Sequence, residues 1–243
     1  MKILVIHLGS VAQTLPATSV IKGLLRKAPF AKITWVAGSE DSMSLLKFNK
    51  NIDRVISFEK LKTLDEVFDI LINLHPEFPH DECSKLKIKK AFDFDFDSNF
   101  RNFVDVIFGK ETIENMNIFQ MYYKLSGLTW RGEGYDVCYY PKTRSKRNRV
   151  GLGVVNGNLR AYVNDELDIE SGKLWHIPYK KNILKRIDEI NRCGKVVTDD
   201  LLTMHIAVSL HKYVYFLETY PMSTKIELFG NGRIYKVPRT VFE

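Results

Sequence analysis

The sequence predicts an α/β protein made of parallel sheets with helices on their faces, in two successive parts. Three observations carry this. Short apolar runs alternate with helix-spaced segments throughout the first half. A basic stretch, Lys142–Arg149, puts five cations into eight residues between Pro141 and a fresh apolar run, Val150–Val155, as a linker between domains does. Near the C-terminus, Lys195–Ala207 repeats the strand-to-helix unit: an apolar strand, polar capping residues at Thr198, Asp199 and Asp200, then an amphipathic helix with Leu202, Ile206 and Leu210 on its core face.

In chain order, Lys2–Ile6 is a buried-strand pattern, followed by Leu8–Gly9–Ser10 and a helix running to about Lys27, with Arg26 and Lys27 at its negative end. Ala31–Ala37 is a second strand, Ser42–Phe48 a short helix and Asp53–Phe58 a third strand. Leu64–Phe68 reads as a helical turn before a fourth strand, Asp69–Leu74. Phe92–Asp97 alternates strictly, which puts three Phe on one face of a strand and three Asp on the other. Asn99–Phe108 and Ile113–Leu128 carry helical apolar stripes, and Gly127 is a helix stop.

The second part opens with the strand Val150–Val155 and a turn at Asn156–Gly157–Asn158. Lys173–Leu174–Trp175 then precedes a helix over Asn182–Asn191. The strand and helix of 195–207 follow directly, then a strand at Tyr213–Leu217 and a final ribbon or tail. A strand feeding a helix N-terminus is where open α/β sheets receive phosphates, because the unpaired amides and the helix dipole favour an anion there.

Composition narrows the classes. The chain has 243 residues, 45% of them hydrophobic, which suits folded globular domains. Cys83, Cys138 and Cys193 are odd in number and lack metal-site spacing, so a reducing cytoplasm is expected. Ile3–Ile6 is too short for a signal peptide, and no apolar run reaches the roughly 18 residues of a membrane span. The net charge of +7 suits an anionic partner. The basic stretch has no interleaved aromatics and accompanies no recognised nucleic-acid fold, which argues against nucleic acid.

Four motifs resemble the heptosyltransferases of glycosyltransferase family 9: Lys2–Ile6 running into Leu8–Gly9–Ser10; Asn73–Leu74–His75; Lys173 and Trp175 before a helix; and Asp200, Met204, His205 and Ala207 at the next helix. The resemblance implies a GT-B-like fold: two Rossmann-like domains with a cleft between them, the C-terminal one reduced. The expected boundaries are an acceptor-side domain 1–141, a basic linker 142–149 and a donor-side domain 150–243. It implies transfer of a sugar from a nucleotide-sugar donor, an ADP-sugar such as ADP-heptose, to a saccharide or glycolipid hydroxyl with inversion, without cofactor or metal. It further implies that Lys173, Asp200, Thr203, Met204 and His205 serve the donor, that Gly9, Ser10 and His75 serve the acceptor, and that Lys173 stabilises the leaving diphosphate.

The departures are specific. The family's catalytic Asp is Gln13 here, and an amide takes no proton at pH 7. His7, at the end of the first strand, is read either as a substitute base or as a polar residue satisfied at a strand end. Leu201 and Leu202 replace the small residues of the family's phosphate loop. The Asp93, Asp95 and Asp97 face is read as a metal grip or as a charged edge strand, and the resemblance agrees with the second. The basic stretch is read as a solvated linker or as a foot for anionic lipid, which would place a cytoplasmic protein at the periphery of the inner membrane. Two functions stay open: an active glycosyltransferase, or a degenerate relative that binds a saccharide, a nucleotide or a partner protein without catalysis.

Overall fold

The computed structural model describes residues 1–75, 86–92, 116–153, 159, 162–163, 167, 174–220, 225–238 and 241. The chain divides into two compact units. One is Met1–Tyr139 with Ser223–Glu227, and the other is Tyr140–Met222 with Leu228–Glu243. Among the described residues no helix is long and apolar enough to cross a membrane.

The first unit is built on a five-stranded sheet in the order β3-β2-β1-β4-β5, comprising β1 (Lys2–His7), β2 (Lys32–Ala37), β3 (Arg54–Ser57), β4 (Val67–Asn73) and β5 (Lys87–Phe92). Every neighbouring pair is parallel. The apolar run of β1 alternates between two cores. Ile3 and Val5 pack with Ile33, Trp35, Val20, Ile21 and Tyr123 on one face, while Leu4 and Ile6 pack with Val36, Ile56, Phe68 and Leu71 on the other. A strand buried on both faces loses the polar alternation of an exposed one, which is why it reads as a continuous apolar stretch.

Helices α1 (Val11–Ala17) and α2 (Ser19–Lys27) stand where one helix was expected. Pro16 lacks the amide that would continue the ladder, and the hydroxyls of Thr18 and Ser19 donate to the Leu15 and Pro16 carbonyls at 2.6 and 2.8 Å. The helical turn expected at 64–68 lies earlier. Helix α4 is Phe58–Lys62, following α3 (Glu40–Leu46), and Val67 and Phe68 already belong to β4. Ser57 sets that start, its side chain accepting from the Lys60 amide at 3.3 Å. Helix α5 (Ile118–Leu125) opens on a reciprocal cap between Asn117 and Gln120 and stops before Gly127, whose φ is 62°. The alternating stretch from Asp93 to Asp97, the segment 99–108 and the turn 156–158 lie outside the described residues, whereas the edge strand β5 ends at Phe92.

The second unit has strands β6 (Lys146–Gly153), β7 (Leu174–His176), β8 (Cys193–Thr198), β9 (Tyr213–Glu218) and β10 (Gly232–Lys236) in the order β10-β9-β8-β6-β7, again all parallel. Two expectations change here. Lys146–Arg149, read as linker, form the first half of β6, because the ladder to β8 continues with a register shift down to Lys146. The expected tail contains a fifth parallel strand, β10. One sheet face buries Val150, Leu152, Val197 and Leu217 with Leu159 and Val163. Helix α6 (Ile183–Asn191) buries Ile183, Ile187 and Ile190. Helix α7 (Leu201–Ser209) is not the amphipathic helix expected. Thr203–Val208 are all buried, whereas Leu202 and Leu210 are half-exposed. A helix enclosed on all sides has no polar face to show.

Candidate functional site

Both sheets have a topological switch point, where ligands of open α/β sheets settle at the carboxyl ends of the strands. In the first unit it falls between β1 and β4, and in the second between β6 and β8.

At the β1 end, His7 is 2% exposed. Its Nδ1 lies 3.2 Å from the Thr14 hydroxyl and its Nε2 3.2 Å from the Tyr122 hydroxyl. Thr14 donates to the Ser10 carbonyl at 3.0 Å and lies 3.1 Å from the Ser42 hydroxyl, which in turn meets Ser39 at 2.9 Å. With the Thr14 proton on the Ser10 carbonyl, Nδ1–H donates to Thr14 and Nε2 is left as an acceptor facing Tyr122, whose single hydroxyl proton is shared between Nε2 and the Gln13 carbonyl at 3.3 Å. Burial, with a smaller contribution from nearby His75, lowers the imidazole from 6.5 to about 3. Such a ring is neutral at pH 7, but its conjugate acid is far too strong for an effective base. This is the environment of a packed, hydrogen-bonded histidine that ties together β1, α1, α3 and α5, and it gives no support to His7 as the substitute base.

Gln13 is also committed. Its Oε1 accepts from the Ser10 amide at 2.9 Å and lies 3.3 Å from the Ser10 hydroxyl, closing the start of α1. Gly9 permits this arrangement, since a Cβ there would lie 2.6 Å from Gln13 Oε1 and 2.9 Å from His7 Cε1. Gln13, which stands at the position of the family's catalytic Asp, thus has its side chain engaged in capping α1. Ser10 is exposed, and His75 is half-buried at the end of β4, with its amide donating to Asn73 Oδ1 at 3.0 Å. Gly9 and Ser10 thus follow the carboxyl end of β1, and His75 that of the neighbouring parallel strand β4.

In the second unit, Asp200 caps α7 by accepting from the Thr203 amide at 2.9 Å and from its hydroxyl at 2.7 Å. The Arg186 guanidinium, on α6, donates to Asp200 Oδ2 at 2.5 Å and to Thr203 Oγ1 at 2.8 Å. Arg186 also lies over the Tyr179 ring, 5.4 Å from its centroid. A pocket of about 220 Å³ opens here, lined by Gly153, His176, Ile177, Pro178, Tyr179, Arg186 and Thr203. Gly153 keeps the end of β6 low, because a Cβ would come 3.0 Å from Thr203 Cγ2.

The structure separates the predicted donor residues into two kinds. Thr203 lines the pocket, and Asp200 is joined to it through Arg186. Met204 and His205 are 1% and 6% exposed, turned into the packing of α7, and burial lowers His205 to about 4. Neither lines the pocket. Lys173 lies outside the described residues. Arg186 was missed, yet its spacing was informative: it falls three residues after Ile183 and just before Ile187, at the margin of the buried stripe of α6. Among the described residues, no group of His, Cys, Asp or Glu assembles a metal site.

No protein-family model and no curated protein sequence matches this chain. Solved structures do. An E. coli ADP-heptose lipopolysaccharide heptosyltransferase II superposes with a TM-score of 0.65 at 13% identity, covering 98% of this chain and 91% of that one. A glycosyltransferase of family 9 from Veillonella parvula gives 0.62 at 15% identity, covering 97% and 86%. An E. coli heptosyltransferase with ADP-2-deoxy-2-fluoro heptose gives 0.56 at 10% identity, covering 98% and 94%. The fold is therefore GT-B-like, of the kind found in the family 9 heptosyltransferases, in a divergent sequence with a shortened C-terminal domain.

Proposed function

We propose that the protein is a glycosyltransferase that moves a sugar from an ADP-sugar, of the ADP-heptose type, to a hydroxyl of a saccharide or glycolipid with inversion. The observation that carries this reading is the pocket at the β6/β8 switch point, where a buried-edge arginine, a helix start and an apolar floor converge. A heptosyltransferase of the same fold is known with an ADP-heptose analogue. On this reading Arg186 and the first amides of α7 receive the diphosphate, and Lys173 adds a second cation. Asp200 and Thr203 hold Arg186 in place, while Ile177, Pro178 and Tyr179 supply apolar contact.

The acceptor side is assigned to Gly9, Ser10 and His75. His75 takes the acceptor proton, since Gln13 is an amide and His7 is enclosed. The acceptor oxygen attacks the anomeric carbon, the bond to the diphosphate breaks, and the nucleoside diphosphate leaves with the electron pair. The pathway is lipopolysaccharide core assembly and the compartment the cytoplasm.

A second reading, binding of the nucleotide sugar without turnover, is favoured by the capped Gln13 and the buried His7. Calorimetric titration with ADP and ADP-heptose, followed by an assay of ADP release, separates the two. Binding with release supports the transferase, and binding without release with any saccharide acceptor supports the second reading. Absence of binding removes both.

A further inference from the structure

The turn joining α2 to β2 carries the barest aromatic ring among the described residues. Ala28–Ala31 form a tight turn closed by the Ala31 amide on the Ala28 carbonyl at 3.0 Å. Pro29 fixes the backbone at its second position. Phe30 stands at the apex, 95% exposed. Single exposed aliphatic side chains are ordinary on protein surfaces, but a whole phenyl ring held out on a stiff turn is not explained by packing.

Its rim is cationic. Arg26 and Lys27 end α2, Lys32 begins β2, and Lys2 lies beside Lys32 in register; all four are exposed. Arg26 pairs with Glu133 and Lys2 with Glu66. Among the described residues no carboxylate pairs with Lys27 or Lys32, and Lys27 reaches the Gly127 carbonyl at 3.2 Å. Met1, half-exposed, adjoins Lys32 and accepts its amide at 2.9 Å. An apolar tip ringed by lysines matches a surface that is negative at its headgroups and apolar just beneath.

We propose that this turn docks on an anionic lipid bilayer, with Phe30 inserted among the acyl chains near the headgroups and Lys27 and Lys32 at phosphate level. The ring enters without a conformational change, because the turn already presents it. The lipid contact thereby falls on the first unit rather than on the basic stretch 142–149, half of which is bonded into β6. The proposal is independent of the transferase reading.

Sedimentation of the full chain with phosphatidylcholine vesicles, with and without phosphatidylglycerol, tests it. The wild type is expected to bind the anionic vesicles and to bind the neutral ones at least tenfold more weakly. Phe30→Ser is expected to lower partitioning about tenfold, the order set by withholding one phenyl ring from hydrocarbon. Lys27→Glu with Lys32→Glu is expected to lower it similarly and to flatten its salt dependence. Both sites are exposed, so unchanged thermal melting shows that the fold is intact. A Phe30→Trp variant is expected to shift its emission to the blue on anionic vesicles. Equal binding by wild type and Phe30→Ser, an unshifted Phe30→Trp, or no binding of wild type to anionic vesicles overturns the proposal.

Discussion

Lowering the pH from 7 to 5 is expected to destabilise this protein through two enclosed imidazoles. Burial holds His7 at about 3 and His205 at about 4 in the folded chain, against 6.5 for a free ring. The unfolded chain therefore binds more protons than the folded one throughout this range, and stability falls as pH falls below 6.5. At pH 5 nearly every unfolded ring is protonated and nearly every folded one is neutral, so each histidine accounts for a loss of about 2 kcal/mol. His7 belongs to the first unit and His205 to the second. Each unit then loses its own share, a fall of about 1 M in the urea midpoint for a unit of this size. The carboxylates Asp65, Glu66 and Asp69, held low mainly by hydrogen bonds from Lys87, Lys2 and Lys89 respectively, act only below the ordinary carboxylate range and leave the window between pH 5 and 7 to histidine. Urea titrations followed by circular dichroism at both pH values are the assay. His7→Phe serves as the control. It removes the ring's bonds to the Thr14 and Tyr122 hydroxyls, which keep the Ser10 and Gln13 carbonyls as acceptors, so it lowers stability at pH 7 by about 1 kcal/mol, yet it flattens the pH dependence of the first unit. A wild type equally stable at both pH values, or a His7→Phe protein with an unchanged slope, refutes the reasoning.

Arg186→Ala is expected to weaken ADP binding about 10–100-fold by calorimetry, the order of losing one charge-assisted contact. The same change costs about 1–2 kcal/mol of stability, because Asp200 keeps its bonds from Thr203. His75→Ala is expected to leave the ADP dissociation constant unchanged while lowering ADP release from ADP-heptose about 100-fold or more; loss of binding along with release would assign His75 to structure instead. Gly38→Ala is expected to cost about 3 kcal/mol or more in a thermal or urea melt, since its Cβ would sit 2.1 Å from the Leu8 carbonyl oxygen, where no side chain can yield.

Much of this molecule was legible in the sequence. The parallel α/β class was readable because β1 and β2 are buried on both faces beyond their first residue and so appear as largely apolar runs. The start of α7 was readable because Asp200 is a local cap, decided within four residues. Local chemistry also set Gly127 as a helix stop. Tertiary structure alone decided the rest. Whether His7 faces solvent or Tyr122 depends on a partner 115 positions away, and whether Lys146–Arg149 run free or pair with β8 depends on a strand more than forty positions on. Arg186 becomes a pocket residue only when α6 lies beside the head of α7. Propensity, periodicity and caps are properties of neighbours along the chain, whereas a site is set by burial and by distant partners, which come into being only when the sheet closes.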